Sequence, residues 1–220
     1  MKKTLLIISL LVLAGQLSAQ IITGKTSTKF TVGFDLFSDI WMDKPADMKI
    51  RTINQGFNVF GTYNFDLTEN GRHTFSAGIG LRNNQLFSNT QINNIKADTI
   101  VFTPITNDYK RSKLHLVYLD FPFEFRFRFD DKWKLGVGFK LGIIIDSKTK
   151  YFGDISPNGP RVLQKSKDVN SLEQYTFGPT LRVGYKWISL FGYYQPTRVF
   201  SRDLGPELYP ISVGISLSPF

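Results

Sequence analysis

No cysteine occurs among the 220 residues of this chain. That absence excludes disulfide frameworks, thiolate-held metal centres and a lipid-bearing cysteine behind an export signal. Histidine is confined to His73 and His115. No metal-ligand spacing is present, so no metal and no other cofactor is expected. A phosphate-cradling glycine loop is also missing: Gly136, Gly138 and Gly142 are spaced like strand positions facing a crowded interior. Beyond residue 20 no apolar run reaches the ~20 residues a transmembrane helix needs. The negative mean hydropathy still leaves one membrane class open. In a membrane barrel, polar interior residues alternate with lipid-facing ones and cancel in any average.

What is present is aromatic and alternating. The chain carries 20 phenylalanines and 18 glycines. The plainest stretch is Val117 to Phe129, VYLDFPFEFRFRF. Val117, Leu119, Phe121, Phe123, Phe125, Phe127 and Phe129 fall on one phase; Tyr118, Asp120, Pro122, Glu124, Arg126 and Arg128 fall on the other. Period-two alternation of this length is a β-strand with one apolar face. It also exceeds the ~9–11 residues that a tilted strand needs to cross a bilayer.

The same pattern recurs at Lys29 to Ile40, Gly56 to Leu67, His73 to Phe87, Trp133 to Ile145, Tyr175 to Trp187, about Ser189 to Gln195, and Ile211 to Leu217. The connections alternate long, short, long, with Asn70-Gly71 marking one tight hairpin. Long loops on one side and short turns on the other are the layout of an outer-membrane barrel with both termini in the periplasm. The expected fold is therefore all-β: a transmembrane antiparallel up-and-down β-barrel of eight strands, or ten if the two longest connections form strands. A soluble barrel of lipocalin type is the alternative, because alternation does not say which face points inward. Lys2 and Lys3, the apolar run Thr4 to Ala14 and Leu17-Ser18-Ala19 form a secretory signal. The expected division is a signal peptide over 1–19 and an outer-membrane β-barrel domain over 20–220.

Three groups of residues stand out as candidate sites. Asp120, Glu124, Arg126, Arg128, Lys140 and Arg182 lie on polar phases and are expected to form a charge network that fills the lumen. Asp35, Arg82, Lys134, Asp146 and Lys186 share those phases. An eight-stranded barrel is just wide enough for such side chains. Tyr63, Trp133, Tyr185 and Trp187 adjoin short turns, where an interfacial aromatic girdle belongs. Lys148, Lys150, Arg161, Lys165 and Lys167 fall in a long connection and are the expected contacts for an anionic surface. With a formal charge of +9 on an exported chain, outer-membrane lipids and lipopolysaccharide are expected partners and nucleic acid is not. The barrel-assembly machinery is the expected partner during insertion, and an envelope protein is a further candidate.

Tyr118-Leu119-Asp120-Phe121-Pro122, with the apolar strand that continues it, resembles the Tyr-Leu-Glu-Ile-Pro strand of the PorT-like family of small outer-membrane β-barrels of Bacteroidota. Asp120 stands where Glu is commoner and Phe121 where Ile is commoner. The Ser-Ala-Gln ending at Gln20 and the terminal Phe220 look like the same group. The resemblance implies a barrel fold and, through the family's name, an accessory role in a type IX-like secretion assembly. Catalysis is not expected. His73 and His115 are predicted near opposite ends of the barrel, and Asp120 and Glu124 lie ~13 Å apart along one strand face. The leading expectation is a non-catalytic scaffold or interaction protein acting through long extracellular loops. A lipid A-modifying barrel enzyme, a small-solute channel and a soluble lipocalin-like binder are the competing classes.

Overall fold

The computed structural model describes residues 29–129, 132–156 and 159–218. The signal segment, the Asp130-Asp131 turn and Phe220 lie outside the described residues. Among the described residues eleven strands form: β1 Phe30–Met42, β2 Gln55–Asp66, β3 His73–Phe87, β4 Thr90–Ile92, β5 Phe102–Pro104, β6 Tyr109–Phe129, β7 Trp133–Asp154, β8 Arg161–Lys167, β9 Tyr175–Tyr185, β10 Ile188–Tyr194 and β11 Tyr209–Leu217.

This corrects the expectation of a plain up-and-down barrel of eight or ten strands. Nine strands make one sheet in the order β6-β3-β2-β1-β11-β10-β9-β7-β8, and β4 and β5 make a separate two-stranded sheet. β6 pairs with β7 as well as with β3, so β6, β3, β2, β1, β11, β10, β9 and β7 follow one another around a circuit. β8 hangs on the far end of β7 and leaves the sheet with an open edge. The physical reason is strand length. β6 has 21 residues and β7 has 22, so both overshoot their neighbours, and the overshoot of β7 finds its second partner in β8.

Every paired neighbour runs antiparallel. Burial follows the pleat. In β9 the pattern is strictly alternating from Tyr175 to Tyr185, with Thr176, Thr180 and Arg182 buried and Tyr175, Phe177, Leu181 and Val183 exposed. The phenylalanine phase of β6 also points outward: Phe125 is 50 % exposed and Phe129 53 %, whereas Glu124 and Arg126 are buried. The lipocalin alternative required the reverse. Polar groups inside and apolar groups outside are the inverse of a water-soluble fold.

One irregularity sets a phase that alternation alone misplaces. A β-bulge in β7 leaves Ile145 without a partner while Ile144 pairs with Tyr118 and Asp146 with Val117. One extra residue reverses the facing of everything beyond it. Asp146 therefore lies on the outward phase rather than in the lumen. Pro122 has no N–H to donate, and the β3–β6 ladder skips from Ala77–Phe123 to Gly80–Asp120 around it. At the turn between β9 and β10, Lys186 takes a φ of 53°. A left-handed residue there matches the twist of the flanking strands in a two-residue hairpin, which explains a tight turn without Gly or Asn.

Candidate functional site

The interior of the circuit is filled by stacked polar layers. Nearest the short turns, Arg126 donates from Nε to Glu124 Oε1 at 2.6 Å and from Nη1 to Asn64 Oδ1 at 3.0 Å. In the next layer Arg182 joins two strands' carboxylates. Its Nη2 meets Asp35 Oδ2 at 3.0 Å and its Nη1 pairs closely with Glu124 Oε2. The Arg182 guanidinium also lies 4.9 Å from the Phe60 ring centroid and 4.8 Å from that of Phe191. In the third layer Arg82 donates to Asp120 Oδ2 at 2.8 Å, and Lys140 meets the same oxygen at 3.1 Å. Tyr118 and Tyr193 flank Arg82 at 4.2 and 5.0 Å. Asp39 accepts from Asn84 at 2.7 Å and from Ser212 at 2.6 Å. Charges taken out of water at such cost persist only when paired and hydrogen-bonded, and here each carboxylate has its cation or its amide and hydroxyl donors.

Glycine makes room for this packing. A Cβ on Gly136 would stand 2.8 Å from Glu124 Cδ, and one on Gly138 2.3 Å from the Phe123 carbonyl. Small residues on β7 thus let the Glu124 side chain lie flat between two guanidiniums.

Above the polar layers the long connections fold inward. Trp41, Met48, Leu86, Ile92, Ile100, Leu114, Leu116, Val169, Val199, Phe200 and Leu208 form one apolar cluster with Tyr118. Single bridges tie it, Ile50 to Ser88 and Leu172 to Phe200. A cleft of about 170 Å³ remains between the β4–β5 hairpin and the inward phase of β6 to β8, lined by Thr90, Gln91, Ser112, Gln164 and Ser166 among others. The connections are thus a folded cap.

The structure brings together Asp120 with Lys140, and Glu124 with Arg126 and Arg182. Arg128 is half-buried at the short-turn end, and Lys186 is exposed in its turn. Trp133, Tyr185, Trp187 and Tyr63 are all exposed at the short-turn end, with the Trp133 and Tyr185 rings 5.2 Å apart. Lys148, Lys150, Arg161, Lys165 and Lys167 lie on strands β7 and β8 rather than in a loop. Arg161 pairs with Asp154 at 3.2 Å. Sequence reasoning passed over Asp39 and the buried polar residues Asn58, Asn64, Asn84, Gln195 and Ser212. Asn84 shares the inward phase of β3 with Arg82, and Asn58 and Asn64 lie on the phase of β2 opposite Phe57, Val59 and Tyr63, so phase was the signal that could have found them.

His73 pairs across from Phe127 at the short-turn end, and His115 from Lys148 near the cap. The one described hydroxyl donated to a lumen carboxylate, Ser212 to Asp39, is fully buried, and the described residues contain no cluster of three His, Asp or Glu able to hold a metal.

Residues 18–198 match the family described as "Outer membrane protein beta-barrel domain". The chain belongs to this family. It is an outer-membrane protein, and the outward apolar face of its sheet is the face such a protein turns to lipid. No curated protein matches the chain. Among solved structures, Ail, the attachment invasion locus protein of Yersinia pestis, in complex with the heparin analogue sucrose octasulfate, is 11 % identical; 86 % of this chain and 97 % of that one are covered, with a TM-score of 0.38. A mutant porin of Rh. blastica is 9 % identical over 86 % of this chain and 99 % of that one, with a TM-score of 0.22. At such identities and scores neither similarity bears on what the chain does.

Proposed function

We propose that this chain is a non-catalytic, sealed membrane scaffold that presents a folded cap at the outer surface for interaction with partners. The observation that supports the reading is the continuous filling of the interior, from the Arg126 layer through Arg182 and Arg82 to the apolar cap cluster. A conduit would need an unbroken polar passage, and an enzyme would need a nucleophile and base that a substrate can reach, whereas Ser212 and Asp39 are buried. The exposed Trp133, Tyr185, Trp187 and Tyr63 act as the periplasmic aromatic girdle. The cap and the strands that support it form the platform, and lipopolysaccharide is its nearest anionic neighbour.

Planar-bilayer recording from the purified full chain tests this reading. No large, stable conductance is expected. Sustained water-filled conductance would overturn the sealed interior and make the chain a channel. A role beside secretion machinery is a second reading, favoured by the PorT-like motif. The Tyr118 and Asp120 of that motif are the residues that hold Arg82 in the uppermost charge layer. Recovery of defined envelope proteins with the chain in mild detergent would favour it.

A further inference from the structure

Beyond the apolar band, the outward phase of β6, β7 and β8 carries lysines in register. Lys113 pairs across from Lys150, and Lys150 from Lys165; in the adjacent row His115 pairs across from Lys148, and Lys148 from Lys167. Directly opposed residues in an antiparallel sheet have Cβ atoms ~5 Å apart, and like charges so placed destabilise the sheet. Asp146 offsets Lys148, and Lys113 reaches Gln85 at 2.7 Å. Lysines on β8 also blunt an open edge. That reason does not extend to Lys113, Lys148 and Lys150, whose strands are paired on both sides. The ammonium of Lys113 is held below its ordinary range by burial, by Arg111 and by Lys150, so it stands to gain from an anion.

The position of the rows identifies the anion. They begin two residue pairs past Val117, on the side of the long connections, where an outer-membrane protein meets the headgroups of the outer leaflet. We propose that Lys113, Lys148, Lys150, Lys165 and Lys167 form a site for the phosphate groups of the outer leaflet's phosphorylated glycolipid, of the lipid A class. The proposal rests on the reading above that the cap end faces outward. Two rows of basic side chains, two residues apart along the strands (~6.6 Å), hold two phosphates of one saccharide headgroup, while the acyl chains lie along the apolar band below.

The test uses the full chain folded in detergent, titrated with bisphosphorylated lipid A, dephosphorylated lipid A and phosphatidylglycerol, with bound lipid read by native mass spectrometry. Bisphosphorylated lipid A is expected to bind at least about tenfold more tightly than either other lipid, and each lysine removed to weaken it by about fivefold at low salt. The variants are Lys113→Gln with Lys150→Gln, and separately Lys165→Gln with Lys167→Gln on β8, outside the strand circuit. Lys132→Gln with Lys186→Gln, at the other end, should bind as the parent does. Without lipid, the ladder variants should resist heat at least as well as the parent, which separates lost binding from lost folding. Undiminished binding by both ladder variants, or equal binding of dephosphorylated lipid A or phosphatidylglycerol, would overturn the proposal. Orientation is read apart from binding: Lys167→Cys should react with a membrane-impermeant thiol reagent on intact cells. Absence of labelling would overturn the outward placement itself.

Discussion

At the scale of single residues, Glu124 is the most exposed to test. It is buried between Arg126 and Arg182, and both guanidiniums depend on it. Glu124→Gln leaves the pair facing a neutral amide. Breaking a buried ion pair from one side costs about 3–5 kcal/mol, so the midpoint of urea unfolding in detergent should fall accordingly. A change within error would mean that Asp35 alone holds Arg182. Replacing Gly136 by Leu should act through the same group, since even a Cβ there meets the Glu124 carboxyl. His115 contributes one part of the pH dependence. Burial first, then Lys113 and Lys148, hold its imidazole below the ordinary 6.5. The unfolded chain therefore takes up that proton before the folded chain does. The stability contributed by the neutral ring is complete above about pH 6.5 and is lost as pH falls through the lower folded value. Between pH 7.5 and 5.5 the parent should lose more melting stability in detergent than His115→Gln does; equal changes in the two would take His115 out of the pH dependence.

At the scale of elements, the cap is the part whose stability is separable. Phe200 and Leu208 are among its fully buried residues and lie on the connection before β11. Phe200→Ala should cost the cap about 3–5 kcal/mol through lost burial and the cavity left behind. Hydrogen exchange over residues 88–108 and 197–208 should accelerate, while β9 to β11 stay protected, because a segment opens where its own packing has been weakened. Equal acceleration throughout would show that cap and circuit unfold together. The bulge at Ile145 is the other element-scale device. It keeps Lys148 and Lys150 on the same outward phase as Lys113 and His115, and thereby aligns the basic rows.

For the whole molecule, the outward apolar face and the antiparallel circuit predict heat-dependent gel mobility. Unboiled protein from the outer-membrane fraction should migrate differently from boiled protein, because strands bonded on both edges stay folded in detergent. A single mobility, with the chain in the soluble fraction, would contradict the outward assignment of the phenylalanines. The same picture expects the Glu124→Gln chain, once folded, to remain non-conducting, because the Arg82 layer and the cap still fill the path.

Much of this was legible in alternation. The phenylalanine strand, the positions of the short turns and the polar phase carrying Asp120, Glu124, Arg126 and Arg182 follow from a side-chain period of two. That period is a local property of the chain. The strand count, the open edge at β8 and the placing of Lys148 to Lys167 on strands followed from β6 and β7 running past their neighbours. Pairing of that kind is decided by distant partners. The facing of Asp146 turned on one extra residue that periodicity cannot register. The cap was least visible, since Met48, Ile100, Val169, Phe200 and Leu208 are scattered singly through polar connections. Only the tertiary structure gathers them, because the apolar surface each one buries is supplied by the others.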